Sequence, residues 1–362
     1  MRLDFLNDIL VEARTGAQPH PEDSIFDGAA AAKQALQSLF YVIQNPGSVT
    51  IKWDGFPALI FGRMPDGRFV VTDKYMFDAK FFADSPARWQ EYDLQKKSGK
   101  TRPDLYAKLN NIWKGLEEAV GSSTGFFWGD LLWYQQLKPV NGMFMFKPNV
   151  VEYHIPANTQ LGQQIAKSVG GVVVHQYFAD DSASPQQWNG QGLKRDGSVV
   201  ILTPDAGITF KLKDPVQLTK AASNAVNQYG TVADSFLAGL EGVAKQALQK
   251  YMNKKITGQT NDELVPWLQT NVSAKQFKIL VGEDGNGYLT QNEKGLKALF
   301  MIWNAFYALK MNLCQQLEGQ VQGIQQWVGG KQQGEGFVFN TPQGLVKLVN
   351  RGTFSAALFA KE

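Results

Sequence analysis

Lys52 is followed at once by Trp53, Asp54 and Gly55, and it stands between two apolar runs. A lysine amine attacks phosphorus or carbonyl centres once desolvation or neighbouring positive charge lowers its pKa. Ser48 to Trp53 alternates and is rich in β-branched residues, which predicts a strand. Asp54-Gly55 is a turn signal, and Ala58 to Arg63 reads as a returning strand. Lys52 is therefore expected at a strand end beside a tight turn. A lone lysine in such a place is ordinarily a solvated residue. Four further stretches give it chemical company: Val70-Val71-Thr72-Asp73-Lys74-Tyr75, the aromatic run Gly125–Leu132 with Asp130 after Gly129, Glu335-Gly336-Phe337-Val338-Phe339, and Leu345–Arg351 with Lys347.

Taken in order, these stretches resemble the ordered motifs of the covalent nucleotidyltransferase superfamily, which comprises ATP-dependent RNA and DNA ligases and mRNA-capping guanylyltransferases. The resemblance is closest to tailed-phage RNA-ligase-like proteins, and it covers roughly residues 46–160 and 331–352. It implies ATP and Mg²⁺ as cofactors, with Lys52 attacking the α-phosphate within the Lys52–Gly55 motif, where Asp54 and Gly55 belong to the nucleotide site. It implies that Lys74, Lys347 and Arg351 neutralise phosphate charge. Asp130 and Glu335 would supply oxygen ligands for Mg²⁺ or contact the ribose, and Tyr153 would stack on the base. The implied partner is nucleic acid, RNA ahead of DNA.

The pattern departs from the family in places. Pro57 stands where many members carry Arg, Asp130 replaces the usual Glu, and Val349 replaces a second lysine. Lys347, Val349 and Arg351 share one strand face, so Arg351 could substitute. Gly170–His175 followed by Thr209–Lys213 imitates the last two motifs, but Gly170 stands where an acid is needed, and ordinary sheet is the alternative.

The elements that must hold these residues alternate in kind. Residues 1–45 read as helical, from Leu3, Phe5, Leu6, Ile9 and Leu10 and from Ala29–Val42. Residues 46–214 carry most of the strand patterns, including Val150–Ile155, Val172–Phe178, Val199–Leu202 and Ile208–Leu212. Residues 215–330 read as helices, among them Ala221–Tyr229, Val232–Asn253, Asn292–Leu317 and Val321–Val328. Residues 331–362 return to strand. The expected class is α+β: a mostly antiparallel, ATP-grasp-like ligase domain with a large all-helical insertion.

Composition narrows the field. With 44% apolar and 19% charged residues the chain is globular rather than disordered, and a net charge of +3 does not by itself argue for nucleic acid. Asp4, Asp8 and Glu12 interrupt any apolar leader, and Ala298–Leu309 is too short to span a membrane, so no membrane partner is expected. The single Cys314 fits a reducing cytoplasm, the host's if the chain is phage-encoded. Gly282–Glu293 imitates a calcium loop, but its first ligand position is glycine, so it reads as a turn entering a helix. His20, His154 and His175 are scattered and read as structural. The leading expectation is an RNA ligase. The alternatives are a non-catalytic binding or structural protein on the same scaffold, and an adenylyltransferase acting on a protein or small molecule. The oligomeric state stays open.

Overall fold

The computed structural model describes residues 20–96, 101–205, 210–342 and 344–352. The periodicity at Leu3–Leu10 lies outside them, as do Ile208 and Thr209. The strands are β1 (Val49–Ile51), β2 (Ala58–Arg63), β3 (Phe69–Thr72), β4 (Gly125–Trp133), β5 (Met143–Phe146), β6 (Glu152–Pro156) and β7 (Gly170–Phe178). They continue with β8 (Gln186–Gln187), β9 (Val199–Leu202), β10 (Gln325–Val328), β11 (Lys331–Gln332), β12 (Gly336–Thr341) and β13 (Gly344–Val349).

The chain divides into two units interleaved in sequence. A sheet unit takes Ile51–Ala206 and Val321–Glu335, and a helical unit takes Met1–Thr50, Gly207–Gln320 and Gly336–Glu362. This differs from the division read in the sequence. The closing hairpin β12–β13 groups with the helices, whereas the short stretch 321–335 groups with the large sheet.

In the sheet unit, six strands run in the order β3-β2-β4-β7-β8 with β9 beside β7. Every pair is antiparallel except β7 with β9. Period-two alternation sorts the side chains. Leu59, Phe61, Phe127, Leu131, Val172 and Val174 face the helices Pro86–Lys96 and Pro103–Val120, which contribute Trp89, Tyr92, Leu109, Ile112 and Leu116. The longer helix starts at Pro103 in its first turn, where a missing N–H costs nothing, and stops at Gly121 with φ 54°. Each of its fully buried Leu or Ile side chains contributes about 2 kcal/mol. Ile60, Val70, Phe77, Phe126 and Phe178 make a smaller cluster on the opposite face. Between the two covering helices, Asp93 is buried against Arg102 through bonds of 2.7 and 2.8 Å and accepts from the Tyr106 hydroxyl at 2.8 Å. A second, four-stranded antiparallel sheet runs β11-β10-β6-β5. Here Gln325–Val328 is a strand, not the helix that the sequence suggests. Gln326 and Val328 point inward, and the helix before them has already ended at Glu318.

The helical unit is built on Ala29–Gln44, Pro215–Ala238 and Glu293–Glu318. Pro215–Ala238 runs unbroken through Gly230, where a Cβ would come within 2.9 Å of the Ala29 methyl, so close helix packing rather than a break explains the glycine. Gly282–Gly287 is a turn closed by the Gly287 N–H donating to Val281 O at 2.7 Å, and it feeds the last long helix. Phe210–Leu212 form no strand, and Lys211 is exposed, its N–H bonded to Gln320 Oε1 at 2.7 Å. The unit's own sheet is β1-β12-β13, with the Thr50 hydroxyl donating to Val338 O at 2.8 Å. No helix among the described residues is long and apolar enough to cross a membrane.

A buried charge network ties this unit together. Lys310, in mid-helix, pairs with Glu22, and both are fully buried. Arg351 reaches Asp23 at 2.8 Å and Glu22 at 3.4 Å, and the Trp303 indole N–H donates to Asp23 at 3.0 Å. Removing one partner strands a buried charge, so Lys310→Met is expected to destabilise the protein by about 3 kcal/mol in chemical denaturation. Adding Glu22→Gln should cost less than the sum of the two single changes. Burial also pushes the Glu318 carboxyl from 4.5 up to about 7. The folded chain then holds a proton that the unfolded chain has lost, so stability falls as pH rises from about 4.5 to about 7. Glu318→Gln should flatten that slope in melting curves taken across the window.

Candidate functional site

After Ile51, whose N–H donates to Pro204 O at 3.2 Å, the chain leaves β1 and becomes a short loop pinned on both sides. Trp53 turns inward and stacks on Tyr153, with ring centroids 4.9 Å apart. The Asp54 carboxylate accepts from the Val150 and Val151 N–H groups at 2.6 and 2.7 Å and from Asn149 Nδ2 at 2.7 Å. Its own N–H donates to the Tyr153 hydroxyl at 2.6 Å. Gly55 lies directly on β4: a Cβ there would collide with Asp130 Cβ and come within 3.1 Å of the Asp130 carbonyl carbon. Phe56 N–H then donates to Leu131 O at 2.9 Å, and Leu131 N–H to Pro57 O at 3.0 Å. The Asp and Gly that follow the lysine are thus explained locally. One satisfies backbone donors, and the other permits close approach.

This leaves Lys52 as the loop's free-ended side chain. It pairs with Glu335, the last residue of the sheet unit; the side chains are 28% and 8% exposed. Burial by itself disfavours the ammonium, but the charge and hydrogen bond of Glu335 outweigh it, helped by Asp130 and Asp54, so the Lys52 pKa is raised. Burial also lifts the Glu335 carboxyl to about 7, with Lys52 opposing and the Asp54 and Asp130 charges assisting. Only one carboxylate oxygen of Glu335 is used; Oε2 is buried without a partner.

Asp130 faces the same region from β4 and is held by His175 Nε2 at 2.8 Å. A carboxylate only accepts, so this nitrogen carries the proton. Lys74 opens the short helix Lys74–Asp78, capped by Asp73 through Met76 N–H at 2.9 Å. The register places Thr72 beside Ile60 and Asp130 beside Ala58, so β3 ends at the same end of the sheet as Asp130, and the helix that Lys74 opens follows there. Lys52, Asp54, Gly55, Lys74, Asp130 and Glu335 therefore share one end of the sheet unit.

The remaining expected site residues are placed differently. Tyr153 is fully buried, with Trp53 on one ring face and Phe146 on the other at 5.3 Å, so neither face is left for a base, and its hydroxyl braces the loop instead. Arg351 belongs to the helical unit, where Asp23, Glu22 and Asn253 take up its guanidinium, so its charge is spent there rather than on phosphate. Lys347 also belongs to that unit, in β13 opposite Val338. Two contributors escaped the sequence reading. His175 ends a stretch that only imitates a motif and reads as structural in the sequence, and Asn149 gave no signal at all. Among the described residues no group of three or more His, Cys, Asp or Glu side chains could hold a metal ion.

Comparison with known families supplies a match over residues 19–362, nearly the whole chain. The chain belongs to DUF6267, a family of unknown function. No curated protein and no solved structure matches it. The lysine loop of this DUF6267 member therefore has to be understood from its own geometry.

The bracing of that loop can be measured. Asp54→Asn keeps the shape but replaces one acceptor oxygen by an amide donor facing either the two backbone N–H groups or the Asn149 amide. The expected cost is about 2 to 3 kcal/mol in urea denaturation, since three donors are left with one acceptor oxygen.

Proposed function

We propose that this DUF6267 protein is an ATP-dependent nucleotidyltransferase that takes a nucleoside monophosphate onto Lys52 and passes it to a nucleic-acid end, RNA ahead of DNA. The observation that carries this reading is the pairing of Lys52 with Glu335 across 283 positions of sequence. A chain that brings one lysine and one acid together over such a distance, buries the acid and leaves the amine partly exposed has built a reactive-group geometry rather than a surface ion pair.

The chemistry follows from the residues. The Lys52 ammonium must lose a proton before it can attack, and Glu335 is the acceptor in contact with it. The neutral amine then forms a P–N bond to the α-phosphorus while the bond to the pyrophosphate oxygen breaks, which yields a lysyl phosphoramidate. Lys74, at the same end of the sheet as Asp130, would oppose the charge that builds on the phosphate oxygens. The unpartnered Glu335 Oε2 and the partly exposed Asp130 are hard oxygen donors, suited to an ion that takes few protein ligands and keeps its waters, so these two would hold Mg²⁺. When bound, that ion supplies charge neutralisation at the phosphates.

A second reading has its own support. Both faces of Tyr153 are covered and Arg351 is spent elsewhere, as expected of a nucleotide-binding or structural protein that keeps the lysine loop without turnover. Incubation with ATP and Mg²⁺ separates the two. The enzyme reading expects an intact-mass increase of one AMP that is acid-labile, absent in Lys52→Ala, and formed at least about a hundredfold more slowly in Glu335→Ala. Nucleotide binding without any adduct would support the second reading. Parallel assays with 5′-phosphorylated RNA, 5′-phosphorylated DNA and labelled protein acceptors would then identify the class of acceptor.

A further inference from the structure

Gly334, just before the acid that holds Lys52, has no conformational reason to be glycine, since it is not among the residues with positive φ. Its reason is spatial. A Cβ on Gly334 would land on the side-chain oxygen of Gln326 and lie 2.9 Å from the Gln326 Cδ. Gln326 sits in β10 directly opposite Tyr153 of β6, and it is only 8% exposed. A methyl there would have to push this buried carboxamide aside. Two buried polar atoms at this spot also lack partners, Gln326 Nε2 and Glu335 Oε2. Unpaired buried polar atoms each cost about 1 to 3 kcal/mol and are retained where position matters more than stability.

The register makes the arrangement symmetrical about one pair of residues. Tyr153 supports Trp53 and Asp54 from β6, and its cross-strand neighbour Gln326 lies against Gly334 from β10. The four-stranded sheet thus presents two adjacent side chains, one against the residues that follow Lys52 and one against the residue that precedes Glu335.

We propose that Gln326 is a positioning residue for Glu335, and that the contact of its carboxamide with Gly334 forms the seat that sets the Glu335 carboxylate against the Lys52 amine. The catalytic consequence of the seat rests on the nucleotidyltransferase reading; its existence does not. The experiment therefore has two arms. In the first, the protein is treated in EDTA with a water-soluble carbodiimide, which activates the Glu335 carboxyl and lets the Lys52 amine displace the urea to form an amide. The cross-linked peptide is then quantified by mass spectrometry. The parent is expected to give the Lys52–Glu335 cross-link. Gly334→Ala, whose methyl displaces the seat, should lower its yield several-fold. Gln326→Ala combined with Gly334→Ala should restore it, because the new methyl fills the space vacated by the carboxamide. Melting temperatures of all three confirm that each is folded. In the second arm, for a protein that forms the Lys52 adduct, Gly334→Ala should lower kcat with the KM for ATP unchanged, and the double variant should recover kcat.

A parent without the cross-link, or a Gly334→Ala protein that cross-links as well as the parent, overturns the seat. So does a double variant no better than Gly334→Ala. A parent that cross-links but forms no nucleotide adduct leaves the seat standing and removes only the nucleotidyltransferase reading.

Discussion

The contact between the Lys52 ammonium and the Glu335 carboxylate is the constraint that organises the sheet unit. Two opposite charges taken largely out of water lose hydration that their attraction barely repays, and such a pair persists only where the surroundings fix both partners. Here the surroundings do so from one platform. The loop after β1 is pinned by Asp54 to three donors at Asn149–Val151 and by Trp53 to the Tyr153 ring, and the acid arrives on a segment resting on β10. Gly55 and Gly334 serve the same purpose on opposite sides: each lets backbone lie where any side chain would push the partners apart.

The helical unit handles its charges in another way. Glu22, Asp23, Lys310 and Arg351 make a buried group with two charges of each sign, drawn from the short helix Pro21–Asp27, the helix Glu293–Glu318 and the second residue after β13. Its effect is cohesion, holding distant parts of the sequence together without leaving a net charge inside. The sheet unit instead keeps a half-exposed amine next to carboxylates at Glu335, Asp130 and Asp54. One arrangement is closed, and the other leaves its amine partly exposed to solvent.

How far the sequence announced this depends on how local each determinant is. The hairpin β2–β3 and the long aromatic strand β4 were plain, because period-two alternation and the turn at Pro65–Gly67 are near-neighbour signals. The Asp-Gly after the lysine reads in the sequence as a turn with β2 returning from β1, but β1 pairs with β12 and β2 with β3 and β4, so Asp54 and Gly55 lie in a connecting loop; the glycine's reason, close approach to Asp130, lies on another strand. Gln325–Val328 reads as helix in the sequence because Gln325 and Gln326 carry little strand signal and the segment is only four residues long, and cross-strand pairing with β6 decides the outcome. Tyr153 was assigned to a base because its strand matched a motif; tertiary stacking by Phe146 and Trp53 removed that option. His175 reads as structural in the sequence because nothing local names its partner, and Asp130 is 45 positions away. The partnership of Lys52 with Glu335 came only from the order of motifs. No periodicity reaches that far.

The interleaving of the two units has a consequence for synthesis. As the chain emerges from the ribosome, the large sheet can begin to assemble once β9 has appeared, but the strand that supports the acid, and the acid itself, come more than a hundred residues later, after the helices. A nascent or prematurely terminated product therefore carries the amine without its counter-charge. The Lys52–Glu335 pair can form only once residue 335 has been made, so until then the amine stands without the acid that holds it.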